Sequence, residues 1–397
     1  MVIENNNSKA LGIDKLGSVG MFLGLLGIIG TLVAIFGGDK SLATTGLQSY
    51  LVGYAFWFTL TIGCLGITFL HHTVRGCWGL SILRLVEAGG GALMLIVMGV
   101  LFVPIAINMG SLYEWTHPEF MNSAEALKHK LPYLNQSGFF LRFGACMLIW
   151  IAYASYFRRS SLKQDETGDT KLAQSRTNWA APGLVVFFLT TTLVFVDLFM
   201  SLDPHWMSQI WGFLFVVMGA LCAFALTTLI VMSNAKKEPV SGFMNRGLSK
   251  DLGNFMFVFT CLWAYFSFSQ YVIIYAGNLP EFNSFYITRR DSGWGLLGVI
   301  LMFGQFLIPF IALLFPTTKA NPSKLVNVAI WILLFRVLDV YWTVMPFMRK
   351  EMSFHVLDLA AFVGIGGIWL FVFSRVASQT KVVPTHDPRL ITAYEHA

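Results

Sequence analysis

Ten stretches of this 397-residue chain are long and apolar enough to cross a bilayer, and no other feature restricts its fold as tightly. A spanning helix needs about 20 mostly apolar residues. The windows fall at about 16–37, 47–71, 82–107, 138–157, 180–202, 206–233, 252–277, 293–315, 324–345 and 356–375. Backbone amides in lipid meet no water, so only helices or closed barrels can span. These windows are continuously apolar rather than alternating, which selects helices over barrel strands. The expected fold is an all-α polytopic membrane protein, with residues 1–397 forming one membrane domain. Composition agrees: 12% of residues are charged, against about 25% in soluble domains.

Residues 1–15 are polar and the apolar run after them has spanning length, so the first window reads as a retained helix, not a cleaved signal. Ten spans put both termini on one side, with the loops after windows 2, 4, 6 and 8. That side holds 17 of the 27 lysines and arginines, Lys9 and Lys15 among them, and the other side holds 7. The positive-inside rule then places both termini in the cytoplasm. The formal charge of +6 is accounted for by these basic loops, so nucleic acid is not an expected partner. The longest loop, 108–137, would lie outside, either ordered over a site or solvated. The polar stretch 158–179 reads as a flexible cytoplasmic loop at the midpoint.

Ionisable residues inside a spanning helix are costly and point to function, to a structural ion pair or to a snorkelling end. Arg84 and Glu87 have the i,i+3 spacing of a pair on one helix face and lie near the cytoplasmic end of the third window. His71, His72 and Arg75 sit at similar depth on the second, where imidazoles beside a carboxylate are able to relay protons. Asp197 lies deep in the fifth window, roughly 26 Å from its cytoplasmic end at 1.5 Å per residue. Among apolar neighbours its charge must find a partner. Asp203 and His205 follow at the outer interface. Arg336 and Asp339 form a second i,i+3 pair near mid-membrane, and Gln305 and Asp358 add hydrogen-bonding groups. Tyr265, Ser267, Ser269, Gln270, Tyr271 and Tyr275 make the outer half of the seventh window polar.

The five cysteines form no CxxC or CxxCH, and four lie in apolar runs where they read as small core residues. Two histidines at matched depth, as a b-type haem requires, are missing: His71 and His72 lie at one end, His205 and His355 at the other. The expectation is no metal and no cofactor in this chain.

Two segments carry a family likeness. VDLFMSLDPHWMSQIWGFLFVVMGAL spans the fifth and sixth windows, and WAYFSFSQYVIIYAGNLPEFNSFYITRRDSGWG follows the seventh into the next loop. With HHTVRGCWGLSILRLVEA and the ten-helix count, they resemble the ActF family of NrfD-like (polysulfide-reductase-like) membrane subunits of bacterial alternative complex III, a quinol:cytochrome c oxidoreductase. The likeness runs over about residues 15–375. It implies two four-helix bundles plus two flanking helices. It also implies a subunit that supports quinol oxidation and electron transfer to periplasmic cytochrome c without a redox centre of its own.

The implied partners are an ActC-like membrane subunit holding the quinol site, an iron–sulfur subunit, a multihaem cytochrome c subunit with its haem c, membrane lipids and a terminal oxidase. By motif, Asp197, Asp203 and His205 mark one outer junction, and Gln270, Asn278 and Glu281 the other; Asn278 and Glu281 are the expected partner contacts. The expected proton path joins His71, His72, Arg84 and Glu87 to Asp197, Asp203 and His205, with Arg336 and Asp339 between. The rival readings are a quinone site built from Asp197, His205 and Gln270, a secondary transporter hinged at Gly89–Gly91 and Pro309, and a purely structural subunit.

Overall fold

The computed structural model describes residues 11–384, 386, 387 and 389. The expected Lys9 and most of the polar N-terminal stretch lie outside them. Among the described residues the chain is helical, and ten helices are long and apolar enough to span a membrane. They are α1 (Ile13–Gly37), α2 (Lys40–Val74), α3 (Leu83–Ile107), α4 (Gln136–Thr167), α5 (Lys171–Leu202), α6 (Trp211–Ser233), α7 (Arg246–Gly277), α8 (Trp294–Leu314), α9 (Pro322–Phe347) and α10 (Val356–Ser378).

The helices pack as two four-helix bundles, α2–α5 and α6–α9, back to back along α2 and α6. A pair, α1 and α10, flanks them, and α10 rests on α2. The α2–α6 and α1–α10 contacts depend on small residues, as expected where lipid supplies no hydrophobic drive between helices. A Cβ on Gly63 of α2 would come within 1.9 Å of the Gly219 carbonyl oxygen of α6, and one on Gly367 of α10 within 2.1 Å of the Gly20 oxygen. The outer face of α1 presents Phe22, Leu26, Ile29, Val33 and Phe36 outward, the surface expected against acyl chains.

The start of α1, the end of α10 and the short connections at 75–82, 168–170, 234–245 and 315–321 meet at one face, here the basic face. The connections at 108–135, 203–210, 278–293 and 348–355 form the opposite face.

Several elements differ from the sequence expectation. The stretch 158–179 is not a flexible loop: α4 runs on to Thr167, Gly168 turns the chain in the left-handed conformation (φ 68°), and α5 begins at Lys171. Polar residues there form helix because they pack on one another, as described below. The sixth span begins at Trp211 rather than 206, since Asp203–Ser208 forms turns capped by the Asp203 carboxylate. The 278–293 connection contains a helix, Pro280–Asp291, begun by proline at its first position.

The 108–135 loop is ordered over the first bundle: Tyr113 donates to the Leu198 carbonyl (2.9 Å), and Lys130 to that of Pro204 (2.6 Å). Burial lowers the Lys130 ammonium from its ordinary value, against the pull of Asp203 and Glu281.

Candidate functional sites at three depths

At the basic face the first bundle encloses a charged cluster. Arg84 donates to Glu87 (2.7 Å) and also to Asp165 of α4, so the expected i,i+3 pair is present but is one arm of a triad. Arg176 of α5 donates to Ser160 (3.1 Å) and to Gln164 (2.5 Å), tying α4 to α5 through the stretch expected to be a loop. Arg158 reaches the Val376 carbonyl of α10.

The segment after α10 folds back over this cluster. Gln164 donates to the His386 carbonyl (3.1 Å), the His386 ring meets the Asp165 carbonyl (2.8 Å), and Arg389 lies 3.5 Å from His71 Nε2. Burial alone would raise the Asp387 carboxyl, but hydrogen bonds from Arg389 outweigh it and hold the group below its ordinary value. His71 and His72 stand ring to ring, 5.4 Å apart. His71 Nδ1 and His72 Nε2 have no hydrogen-bond partner, and neither ring bonds Arg84 or Glu87.

At the opposite face Asp197 is paired, not isolated. Arg142 of α4 donates to both carboxylate oxygens, Nε to Oδ2 (2.7 Å) and Nη2 to Oδ1 (3.1 Å). The Tyr133 ring lies 4.0 Å from the guanidinium. Burial first, and then the Asp197 carboxylate, push the Tyr133 phenol above its ordinary value. Such a forked pair has the geometry that arginine matches best. Asp197 thus bonds Arg142 rather than either of its expected neighbours at this junction, Asp203 and His205. Asp203 caps its own turn, and His205 is exposed with its ring 5.8 Å from Phe120. Gln270 bonds Ser208 and Tyr286 rather than Asp197 or His205.

Between these clusters the first bundle is filled with rings. Phe58 touches Phe143, Trp150 and Phe195, and Phe102 touches Phe143, at centroid distances of 4.5 to 6.4 Å. Arg142 and Asp165 bound this layer on α4, roughly 34 Å apart along the helix at 1.5 Å per residue.

The second bundle keeps its charge in the middle. Arg336 donates to Asp339 (2.8 Å) on α9, confirming the expected pair, and its guanidinium lies 5.1 Å from the Trp263 ring of α7. Arg336 Nε and Nη2 have no partner, and neither has the side-chain amide of Gln305, which is completely buried. Gln305 sits where α8 widens into a π-turn, Met302–Leu307, just before Pro309. Such turns recur at functional sites.

Gln270 lies on the same bundle's interior face, accepting from Ser208 (2.8 Å). Asn278 ends α7 in the left-handed conformation (φ 43°), and Glu281 stands exposed one turn later. Asp358 caps α10 and receives Ser49 (2.6 Å) and both Arg349 amino groups (2.9 and 3.0 Å), a structural tie between α2 and the α9–α10 connection.

Sequence reasoning missed Asp165, Arg142, Arg176 and Arg349 as partners. The one usable signal was parity of buried charge: each stranded carboxylate demanded a cation from another helix. Among the described residues no three His, Cys, Asp or Glu side chains converge as a metal site, and the cysteines are free.

In comparisons, the chain matches no protein-family model and no curated protein.

Proposed function

We propose that this chain is the cofactor-free membrane subunit of a quinol-oxidising respiratory complex of the alternative complex III kind. Its basic face and both chain ends would lie in the cytoplasm of a bacterial cell. The observation that carries the reading is the pair of back-to-back four-helix bundles with buried ion pairs at three depths. In this reading the Arg84–Glu87–Asp165 cluster is the inner proton mouth and the Arg142–Asp197 pair the outer one. The aromatic layer between them prevents free leakage.

Charge movement during quinol oxidation in a neighbouring ActC-like subunit would bias these pairs, since a buried ion pair responds strongly to nearby charge. The exposed His205 and Glu281 on the opposite face offer contacts for an iron–sulfur subunit, and a multihaem cytochrome c would take the electrons.

The transporter reading fares less well. The break in α3 at Gly89–Gly91 and the π-turn in α8 fall on helices that do not correspond, the second of one bundle and the third of the other.

Purification through a tag on this chain should bring down haem-bearing and iron–sulfur subunits, and isolation alone would overturn the assignment. In vesicles holding the whole complex, Asp197→Asn and Glu87→Gln should each lower protons moved per electron while leaving haem and cluster content intact. Unchanged stoichiometry in both would end the relay idea and leave a scaffold.

A further inference from the structure

A cavity of about 980 Å³ lies inside the second bundle, bounded by α6, α7, α8, α9 and the helix Pro280–Asp291 that roofs it. Its origin is the bend in α8. The π-turn and Pro309 redirect the helix, as such features do. As a result α7 packs on the C-terminal half of α8 and stands apart from its N-terminal half.

The gap opens sideways. Phe268 and Tyr275 of α7 and Val299 and Met302 of α8 both line the cavity and are exposed. On a spanning helix that surface faces lipid, so an occupant arrives from the bilayer and carries an apolar tail.

The inner end is different in kind. Gln270, Tyr286 and Asp339 reach the cavity wall together. The Gln270 amide oxygen is taken by Ser208, but its N–H finds Tyr286 only at 3.5 Å, beyond a good hydrogen bond. Gln270 is 4% exposed and lines the cavity, and its amide nitrogen, with two N–H groups to place, makes only this one long bond. Three charged residues, Arg289, Arg290 and Asp339, also line the cavity. Asp339 is paired with Arg336, and Arg289 donates to the carbonyls of Phe285, Trp342 and Thr343. Asp339 is thus neutralised and each Arg289 nitrogen already donates to a carbonyl, so the open hydrogen-bonding positions at this end belong to Gln270 and Tyr286. Trp263, Phe285 and Trp342 supply flat aromatic walls.

We propose that this cavity binds a membrane amphiphile with a hydrogen-bonding head, seated against Gln270 and Tyr286, and an apolar tail leaving between α7 and α8. The volume is at the upper end of small-molecule sites, which run from about 300 to 1,000 Å³. A membrane quinone and a neutral glycerolipid share this chemistry, and the aromatic walls suit the ring of the first. The proposal does not depend on the respiratory assignment, because it rests on this chain's own cavity.

The test uses the full chain in quinone-free phospholipid nanodiscs, titrated with a short-tailed ubiquinone. Quenching of tryptophan fluorescence is the readout, because Trp211, Trp263 and Trp342 line the cavity. A saturable phase is expected. Gln270→Leu should weaken it about tenfold, the worth of one hydrogen bond. Ala264→Phe, which fills the cavity, should abolish it, with unfolding temperatures held close to that of the parent protein. Dioleoylglycerol that displaces the quinone at lower concentration than the quinone displaces it would identify the occupant as a glycerolipid. The reverse order would identify a quinone. Quenching that rises linearly with quinone in the parent protein, and equally in both variants, would overturn the proposal.

Discussion

The two bundles contain the same number of helices but distribute charge in opposite ways. The first keeps its ion pairs at its two ends and fills the middle with aromatic rings. The second carries its pair at mid-depth, beside a cavity that opens toward lipid. In the first bundle each cation meets acceptors from neighbouring helices. Both bundles leave buried polar atoms without partners, at the basic end in the first (Arg84 Nε, Arg176 Nε, His71 Nδ1) and at mid-depth in the second (the Gln305 amide and two Arg336 nitrogens). The difference teaches that one helix count supports two interiors, an aromatic middle with polar ends and a charged middle beside a cavity open toward the lipid-facing surface.

The largest expected effect tests whether the bundles must stay together at all. Gly63→Leu places a side chain where the Gly219 backbone already stands, and overpacking at such a contact should cost about 3 kcal/mol or more. Loss of the folded chain from detergent size-exclusion profiles is the measurement. A normally assembled variant would show that the seam is looser than the geometry implies.

Next comes a matched pair of substitutions. Arg84→Met strands two buried carboxylates and should cost about 3–5 kcal/mol. Arg336→Met strands only Asp339, which borders the cavity, and should cost about 1–3 kcal/mol. Thermal unfolding of both in one detergent ranks them. Equal losses would erase the distinction between a sealed and an open bundle.

Gln305→Leu has a smaller effect and the opposite sign. No protein partner is lost, so stability should rise by about 1 kcal/mol as two unsatisfied polar atoms leave the interior. A fall would show that water joins this amide to its neighbours.

The smallest effect concerns the C-terminal segment. Hydrogen bonds from Arg389 hold the Asp387 carboxyl below its ordinary value, so its contribution is present above the unfolded carboxylate range and fades as pH drops through the lower folded value. Acidification below about pH 4, or Asp387→Asn at neutral pH, should loosen the segment. Faster amide exchange at 379–389 would register it. Identical exchange in parent and variant would mean that the His386 contacts alone hold the strap.

Much of the fold was legible because lipid imposes a local rule: a span must satisfy its own backbone, so ten apolar runs meant ten helices. The same locality exposed Arg84–Glu87 and Arg336–Asp339, since i,i+3 spacing lies within one turn. It failed at 158–179, where polar residues read as loop. Arg176, Ser160 and Gln164 satisfy one another there across two helices, and nothing in either helix alone announces it. It failed also at Asp197, whose partner Arg142 lies on another helix across a long connection.

The sequence by itself therefore determined the number and type of the spans and two of the buried pairs. Tertiary structure alone decided which helices share a bundle, which cation meets Asp197, and that α7 and α8 part to leave a cavity. The physical reason is that lipid is as apolar as a protein core. A spanning helix then carries little contrast between its buried and lipid-facing sides, and partner choice rests on close approach of backbones and pairing of distant charges.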